Sequence, residues 1–230
     1  SLFQYSSLST LVIPPKLKEL KYEWCVCADN LTDIYVSPLN KNFIFYENKF
    51  LLGKSDPNND IYDILYFARR DIEFALIPSF VTKISNNSFM NCKKLRKIEF
   101  QSDSKLKIIC DSAFINNGFE SITIPRHVVE IEKFAFASSK LKRVTFQDNS
   151  ELKCIQEFAF DYLKLSSIIL PSEVAKIIDA FTQCDDLSIV EIDENSKLKA
   201  FDFGGTFLLN GIVMVPAKLV KSFQAHSSFI

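Results

Sequence analysis

Glycine is scarce, with five copies in 230 residues, and histidine scarcer, with His127 and His226 alone. There is no Gly-rich phosphate loop, no dinucleotide fingerprint and no Gly-x-Ser-x-Gly turn, so no catalytic residue is assigned and no enzyme is expected. His127 follows Pro125-Arg126 at the mouth of a repeat, where it is expected to be exposed and idle. Asp56-Pro-Asn58-Asn-Asp60 offers the first three alternating ligands of a calcium loop. Ile61 stands where that loop needs Gly, and Phe67 where it needs Glu. The segment reads as a solvated turn, and no metal or cofactor is expected. A basic excess is also lacking: 27 Lys and Arg face 28 Asp and Glu, which argues against nucleic acid as a partner. No apolar run reaches about 18 residues, so no membrane insertion is expected of this segment. Ser1-Leu-Phe-Gln-Tyr5 has no initiating Met and no basic-then-apolar leader, which fits a piece of a longer protein.

What the chain does have is repetition. Ile77-Pro78, then Val81, Ile84, Phe89, Cys92, Leu95, Ile98 and Phe100 set a pattern that returns four more times, to Ile192. The central strand residues step from Ile98 to Ile122, Val144, Ile168 and Val190, which is 24, 22, 24 and 22 residues. Self-similarity at this period signals a solenoid. Each coil holds one Phe in phase (Phe89, Phe114, Phe136, Phe160, Phe181), which predicts a continuous aromatic spine. Coils opening Ile-Pro or Leu-Pro alternate with coils opening Gln101-Ser-Asp-Ser-Lys-Leu106 and Gln147-Asp-Asn-Ser-Glu-Leu152. The Pro falls just past a strand end, where its missing N–H costs no ladder bond. Val174 to Phe181 is one residue shorter than Val81 to Phe89, which predicts a local kink.

The array is expected to span 1–230 as about nine coils, with two interruptions. Between Ile34 and Ala75 the period stretches to 41 residues. Two apolar runs there flank the turn-rich Gly53 to Asp60, and a β-hairpin inserted at about 37–71 is expected, projecting from the solenoid or lying along its flank. A second, shorter hairpin is expected at about 205–216, around Asn210-Gly211. Both ends leave an unfinished coil through which copies could associate.

Six cysteines are spaced by the repeat rather than as a framework. Cys27, Cys92 and Cys184 each lie three residues after Trp24, Phe89 and Phe181. Cys92 and Cys184 are four coils apart, about 20 Å at strand spacing, too far for a disulfide. All six read as small buried hydrophobes, mostly reduced.

The joint pattern Ile-Pro, Val81, Ile84, Phe89, Asn91-Cys92, Leu95, Ile98 and Phe100, in phase from Leu8 to Pro216, resembles the BspA-like (Treponema-type) leucine-rich repeat family. That resemblance implies an α/β leucine-rich-repeat superhelix with one short parallel strand per coil of about 23 residues. Phe-bearing loops or short helical turns would lie opposite. It also implies a non-enzymatic recognition or adhesion ectodomain of a cell-surface protein, of the protozoan-parasite type. Such a module would bind a protein or glycan ligand on a host, matrix or cell surface. The alternative is a cytoplasmic leucine-rich-repeat scaffold. Asn30-Leu-Thr32 and Asn86-Asn-Ser88 are glycosylation sequons that matter only on export.

Two surfaces are candidates for a ligand. If Ile98 and Phe100 point inward, their neighbours point outward. The outward pairs are then Lys97/Glu99, Ser121/Thr123, Arg143/Thr145, Ser167/Ile169 and Ile189/Glu191. Ile169 and Ile189 form an apolar patch among them. The second surface is the basic ridge Lys93, Lys94, Arg96 and Lys97. Residues 77–100 carry five cations against Glu99, a net +4, whereas residues 170–192 carry Lys176 against five carboxylates, a net −4. The ridge is expected to steer toward an acidic partner, either a sulfated glycan or the acidic end of another copy.

Overall fold

Alternation of apolar and polar residues makes each coil's first strand. In Lys97-Ile98-Glu99-Phe100, Ile98 is buried while Lys97 and Glu99 face solvent. The computed structural model describes residues 7–21, 24–26, 28–193, 195–201 and 212–214. In chain order the strands are β1 (Thr10–Ile13), β2 (Asp33–Val36), β3 (Phe43–Tyr46), β4 (Phe50–Gly53), β5 (Ile64–Ala68) and β6 (Phe74–Ile77). Then come β7 (Lys83–Ile84), β8 (Lys97–Phe100), β9 (Ile108–Ile109), β10 (Ser121–Ile124), β11 (Glu130–Ile131) and β12 (Arg143–Phe146). The last six are β13 (Cys154–Ile155), β14 (Ser167–Leu170), β15 (Lys176–Ile177), β16 (Ile189–Ile192), β17 (Ala200–Phe201) and β18 (Ile212–Met214).

The chain is a β-solenoid with the expected period. Two details differ from expectation. Each regular coil carries a second, two-residue strand, and these join into a parallel back sheet running β7-β9-β11-β13-β15-β17. No helix occurs among the described residues. The Phe corner explains why. The residues two before and two after each spine Phe have positive φ: Asn87 and Asn91, Ser112 and Asn116, Phe134 and Ser138, Phe158 and Tyr162, Asp179 and Gln183. A left-handed residue on either side of each spine Phe breaks the run of right-handed residues that i to i−4 helical bonds need. The left-handed residues turn alternate N–H groups toward the next coil instead. Asn87, Phe89 and Asn91 donate to the carbonyls of Asp111, Ala113 and Ile115, at 3.2, 2.8 and 3.1 Å. The pattern repeats from Ser112, Phe114 and Asn116 to Lys133, Ala135 and Ala137. Asn tolerates this conformation; a bulky Phe or Tyr does so only under strain.

Inside that corner the five phenylalanines are fully buried and stacked. Centroids are 4.9, 5.2, 5.4 and 5.3 Å apart from Phe89 through Phe181. The shortened coil does not kink this stack: Phe160 and Phe181 lie 8° from parallel. The missing residue falls between Ile177 and Phe181, and Phe160 N still reaches the Ala180 carbonyl at 2.9 Å.

The insertion is more than one hairpin. It is a three-stranded meander, β3-β4-β5, antiparallel within itself, and β5 then pairs parallel with β7. It therefore neither projects nor lies on the flank; it begins the back sheet and stands as a wall between two cores. Phe50, Leu52, Leu65 and Ala68 face the main core, while Phe43, Leu51 and Phe67 face a smaller one with Ile13, Leu31 and Ile34. Strand alternation gives each strand two buried faces. Phe50 meets Phe89 at 6.0 Å and Phe67 meets Trp24 at 5.7 Å, so the wall links the aromatic series on both sides. The expected hairpin at about 205–216 lies outside the described residues except for β18, which pairs parallel with β16.

The front strands do not form one ribbon. They pair as β1-β2, β6-β8, β10-β12 and β14-β16-β18, with no ladder from β8 to β10 or from β12 to β14. These gaps coincide with the 24-residue steps, Ile98 to Ile122 and Val144 to Ile168. From Ile98 to back-strand Ile109 there are 11 positions, against nine from Ile122 to Ile131. The extra pair sits in the Gln101–Leu106 turn, where buried Ser104 accepts from Leu106 N at 3.4 Å. The back sheet stays in register while the next front strand moves out of hydrogen-bond reach.

Candidate functional site

The ten outward residues of the sheet face are all exposed: Lys97, Glu99, Ser121, Thr123, Arg143, Thr145, Ser167, Ile169, Ile189 and Glu191. Register brings Ser121 opposite Arg143 and Thr123 opposite Thr145, whose hydroxyls meet at 2.8 Å. Ile169 is 63% exposed and Ile189 41%. They are diagonal neighbours, since Ile169 pairs with Glu191 and Ser167 with Ile189.

The same alternation in the early coils extends this face, and the sequence reading passed over it. Val12 and Tyr35 are register partners, each 64% exposed. Phe74 and Leu76, both 39% exposed, lie opposite Lys97 and Glu99. The pattern Phe74-Ala75-Leu76-Ile77 was a sufficient signal, because Ala75 and Ile77 belong to the buried set. The face thus runs from apolar residues, through a centre of cations and hydroxyls, to the Ile169/Ile189 patch.

Two grooves open where the front ribbon is unpaired. One, of about 410 Å³, lies between β8 and β10; its lining includes Arg96, Lys97, Thr123 and Arg143. The other, of about 560 Å³, lies between β12 and β14; its lining includes Arg143, Ile169, Leu170, Glu191 and Asp193. Arg143 borders both.

The remaining candidates are structural. His127 is half-buried rather than exposed. Its Nδ1 contacts Glu151 Oε1 at 2.8 Å and its Nε2 accepts from Arg126 Nε at 3.1 Å. The imidazole and Lys107 together hold the Glu151 carboxyl below its usual range. Asp56 accepts from Asn58 N at 2.9 Å, so the calcium-like segment uses its carboxylate to build a turn. Asn30 is exposed, whereas Asn86 is half-buried and the hydroxyl of its sequon partner Ser88 is buried on Leu65 O at 2.9 Å. Arg70 is buried over the Phe67 ring, 4.3 Å from its centroid, and donates to Ser88 O at 2.8 Å. It sits where the two cores meet, beside Cys25 and Cys92.

Five described cysteines are free thiols; Cys27 lies outside the described residues. Burial pushes Cys25 up to about 11 and Cys110 and Cys184 up to about 12. A thiolate is the reactive form, so these groups are expected to resist alkylation at pH 8. Mass spectrometry after maleimide labelling should find Cys25, Cys92, Cys110 and Cys184 unmodified in the folded chain and modified in guanidinium. Labelling of Cys184 ahead of half-exposed Cys154 would contradict this.

Residues 60–188 and 107–222 match the family described as BspA type leucine rich repeat region, with six copies. The chain belongs to the BspA-type leucine-rich-repeat family. Its fold is similar to that of a leucine-rich repeat protein from Eubacterium ventriosum, with 21% identity, TM-score 0.59, and coverage of 92% of this chain and 58% of that one. A leucine rich cell surface protein from Faecalibacterium prausnitzii matches with 19% identity and TM-score 0.41, covering 67% of this chain and 53% of that one. The pneumococcal vaccine antigen PcpA matches with 17% identity and TM-score 0.40, covering 90% and 60%. The chain spans little more than half the length of these proteins. No curated protein matches it significantly. BspA-type repeats are generally non-enzymatic, consistent with a protein-interaction module.

Proposed function

We propose that this chain is the recognition segment of an adhesive cell-surface protein, and that its ligand, presented by a host cell or matrix, docks on the front face. The protozoan-parasite type of surface protein belongs to this same reading. The observation that carries it is the row of exposed apolar residues on one face of the ribbon: Val12 and Tyr35, Phe74 and Leu76, Ile169 and Ile189. Their strand neighbours are buried or half-buried and supply the core, so nothing in the fold requires apolar side chains outside. Exposed apolar positions grouped on one face mark an interaction surface. BspA-type membership supports the reading, because stacked repeats present broad surfaces for partners.

Attachment of host cells to a surface coated with the chain tests the proposal. Ile169→Asp/Ile189→Asp and Tyr35→Asp/Leu76→Asp variants should fold normally and lose most attachment. Full attachment by both would refute it. Staining of intact, unpermeabilised cells with antibody to this segment tests the location separately.

A further inference from the structure

The front face is chemically divided, and its cationic part is larger than the Lys93–Lys97 ridge. Lys140, Lys142 and Arg143 are exposed on the same edge two coils further along, across the unpaired β8/β10 step. The coil between them contributes Asn116, Asn117 and Gly118 at that edge, and no cation. Arg96, Lys97 and Arg143, which lie 47 positions apart in sequence at their extremes, line one groove at the β8/β10 gap. Three of the carboxylates near these cations are already paired: Glu99 with Lys97 at 2.6 Å, Glu120 with Lys142 at 3.1 Å, and Asp71, near Lys94, with Arg69 at 2.9 Å. Lys93, Lys94, Arg96, Lys140 and Arg143 form no ion pair with a described residue.

We infer that this track and its groove bind a linear sulfated polysaccharide. The inference deepens the recognition reading above and rests on the same exposed face. Two observations select this ligand. The cations come in two clusters on alternate coils, so a ligand must carry anions at intervals along an extended chain. The groove wall between them offers the hydroxyls of Ser121, Thr123 and Thr145, which suit a hydroxyl-rich ligand. The groove is not wholly polar: Leu76, 39% exposed, and half-buried Phe100 line it beside the cations and give an extended ligand an apolar edge to lie along. Two further exposed apolar residues, Ile169 and Ile189, lie beyond it on β14 and β16. Arg presents a planar fork that suits an oxyanion, and Lys adds point charge along the track.

The test is titration of the intact chain with a heparin oligosaccharide, its fully desulfated form, and polyglutamate. Wild type should bind the sulfated chain alone, with affinity falling steeply as salt rises. Arg96→Glu/Arg143→Glu should weaken binding by about tenfold or more. Arg96→Gln/Arg143→Gln should weaken it less. Lys153→Glu/Lys176→Glu makes the same charge change on the back-sheet side and should leave affinity unaltered. Ile169→Asp/Ile189→Asp should keep heparin binding while losing cell attachment, which separates this inference from the reading it rests on. No binding by wild type, equal binding of the desulfated chain, or equal weakening by the back-sheet reversal would overturn it. Polyglutamate binding as tightly as heparin would assign the track to an acidic peptide and overturn the glycan assignment.

Discussion

Replacing Phe136 by alanine is expected to destabilise the chain by about 3–5 kcal/mol. The side chain is fully buried in the middle of the spine, 5.2 Å from Phe114 and 5.4 Å from Phe160, with interplanar angles of 6° and 2°. Removing it leaves a gap that neither neighbour can close. Each is held by a coil-to-coil bond through its own N–H, Phe114 N to Ala135 O at 2.7 Å and Phe160 N to Ala180 O at 2.9 Å. Phe134, two residues earlier, is the internal control. It is half-buried, stacks on Phe158 at 5.0 Å and has φ 53°. Phe134→Gly forfeits part of one ring contact but relieves a left-handed conformation that costs a bulky residue roughly 1–2 kcal/mol. It should therefore cost far less than Phe136→Ala. Urea melts of the two variants decide the matter. A Phe134→Gly loss as large as that of Phe136→Ala would mean that the outer aromatic pair, not the inner spine, holds the coils together.

Gly118→Ala is expected to cost about 1–3 kcal/mol or more, an unusually large effect for one added methyl. The new Cβ would run into the Lys93 carbonyl and stand 2.9 Å from the Leu95 carbonyl. Both obstacles are backbone atoms and cannot rotate aside. The crowding has a cause in the repeat. Phe89 to Ile98 takes nine positions, whereas Phe114 to Ile122 takes eight. The residue added around Lys93-Lys94 leans into the following coil, and glycine there accepts it. Lys140 and Lys164 hold the same repeat position after coils that lack the extra residue. A melting temperature for Gly118→Ala within a degree of wild type would show that the neighbouring coil can give way. A Lys140→Ala control should change stability little, since that side chain is exposed.

Most of the solenoid was legible in the sequence because its period is carried by core residues. Ile98, Ile122, Val144, Ile168 and Val190 recur at front-strand spacing, and all five are buried. A repeat that stacks on itself must bury the same position each time, so the inward set, and with it the outward set, follows from alternation. The spine phenylalanines were legible for the same reason. The φ > 0 corners were not. Asn87 and Asn91 hint at them, but Phe134, Phe158 and Tyr162 occupy the same positions against their own preference. There the coil-to-coil hydrogen bonds override local propensity. The role of the meander was equally hidden. Phe50-Leu-Leu52 reads as one apolar run, and only its packing shows Leu51 facing one core and Phe50 and Leu52 the other.

The sequence by itself determined the repeat, the buried face and the chemistry of each outward residue, because periodicity and side-chain identity are properties of the chain. The tertiary structure decided which of those residues share a groove. That depends on the spacing between coils, and two extra residues in the Gln101–Leu106 and Gln147–Leu152 turns open the front ribbon at β8/β10 and β12/β14 while the back sheet stays joined. Arg96 and Arg143 become neighbours of one cleft only because hydrogen-bond register is kept on one side of the solenoid and given up on the other.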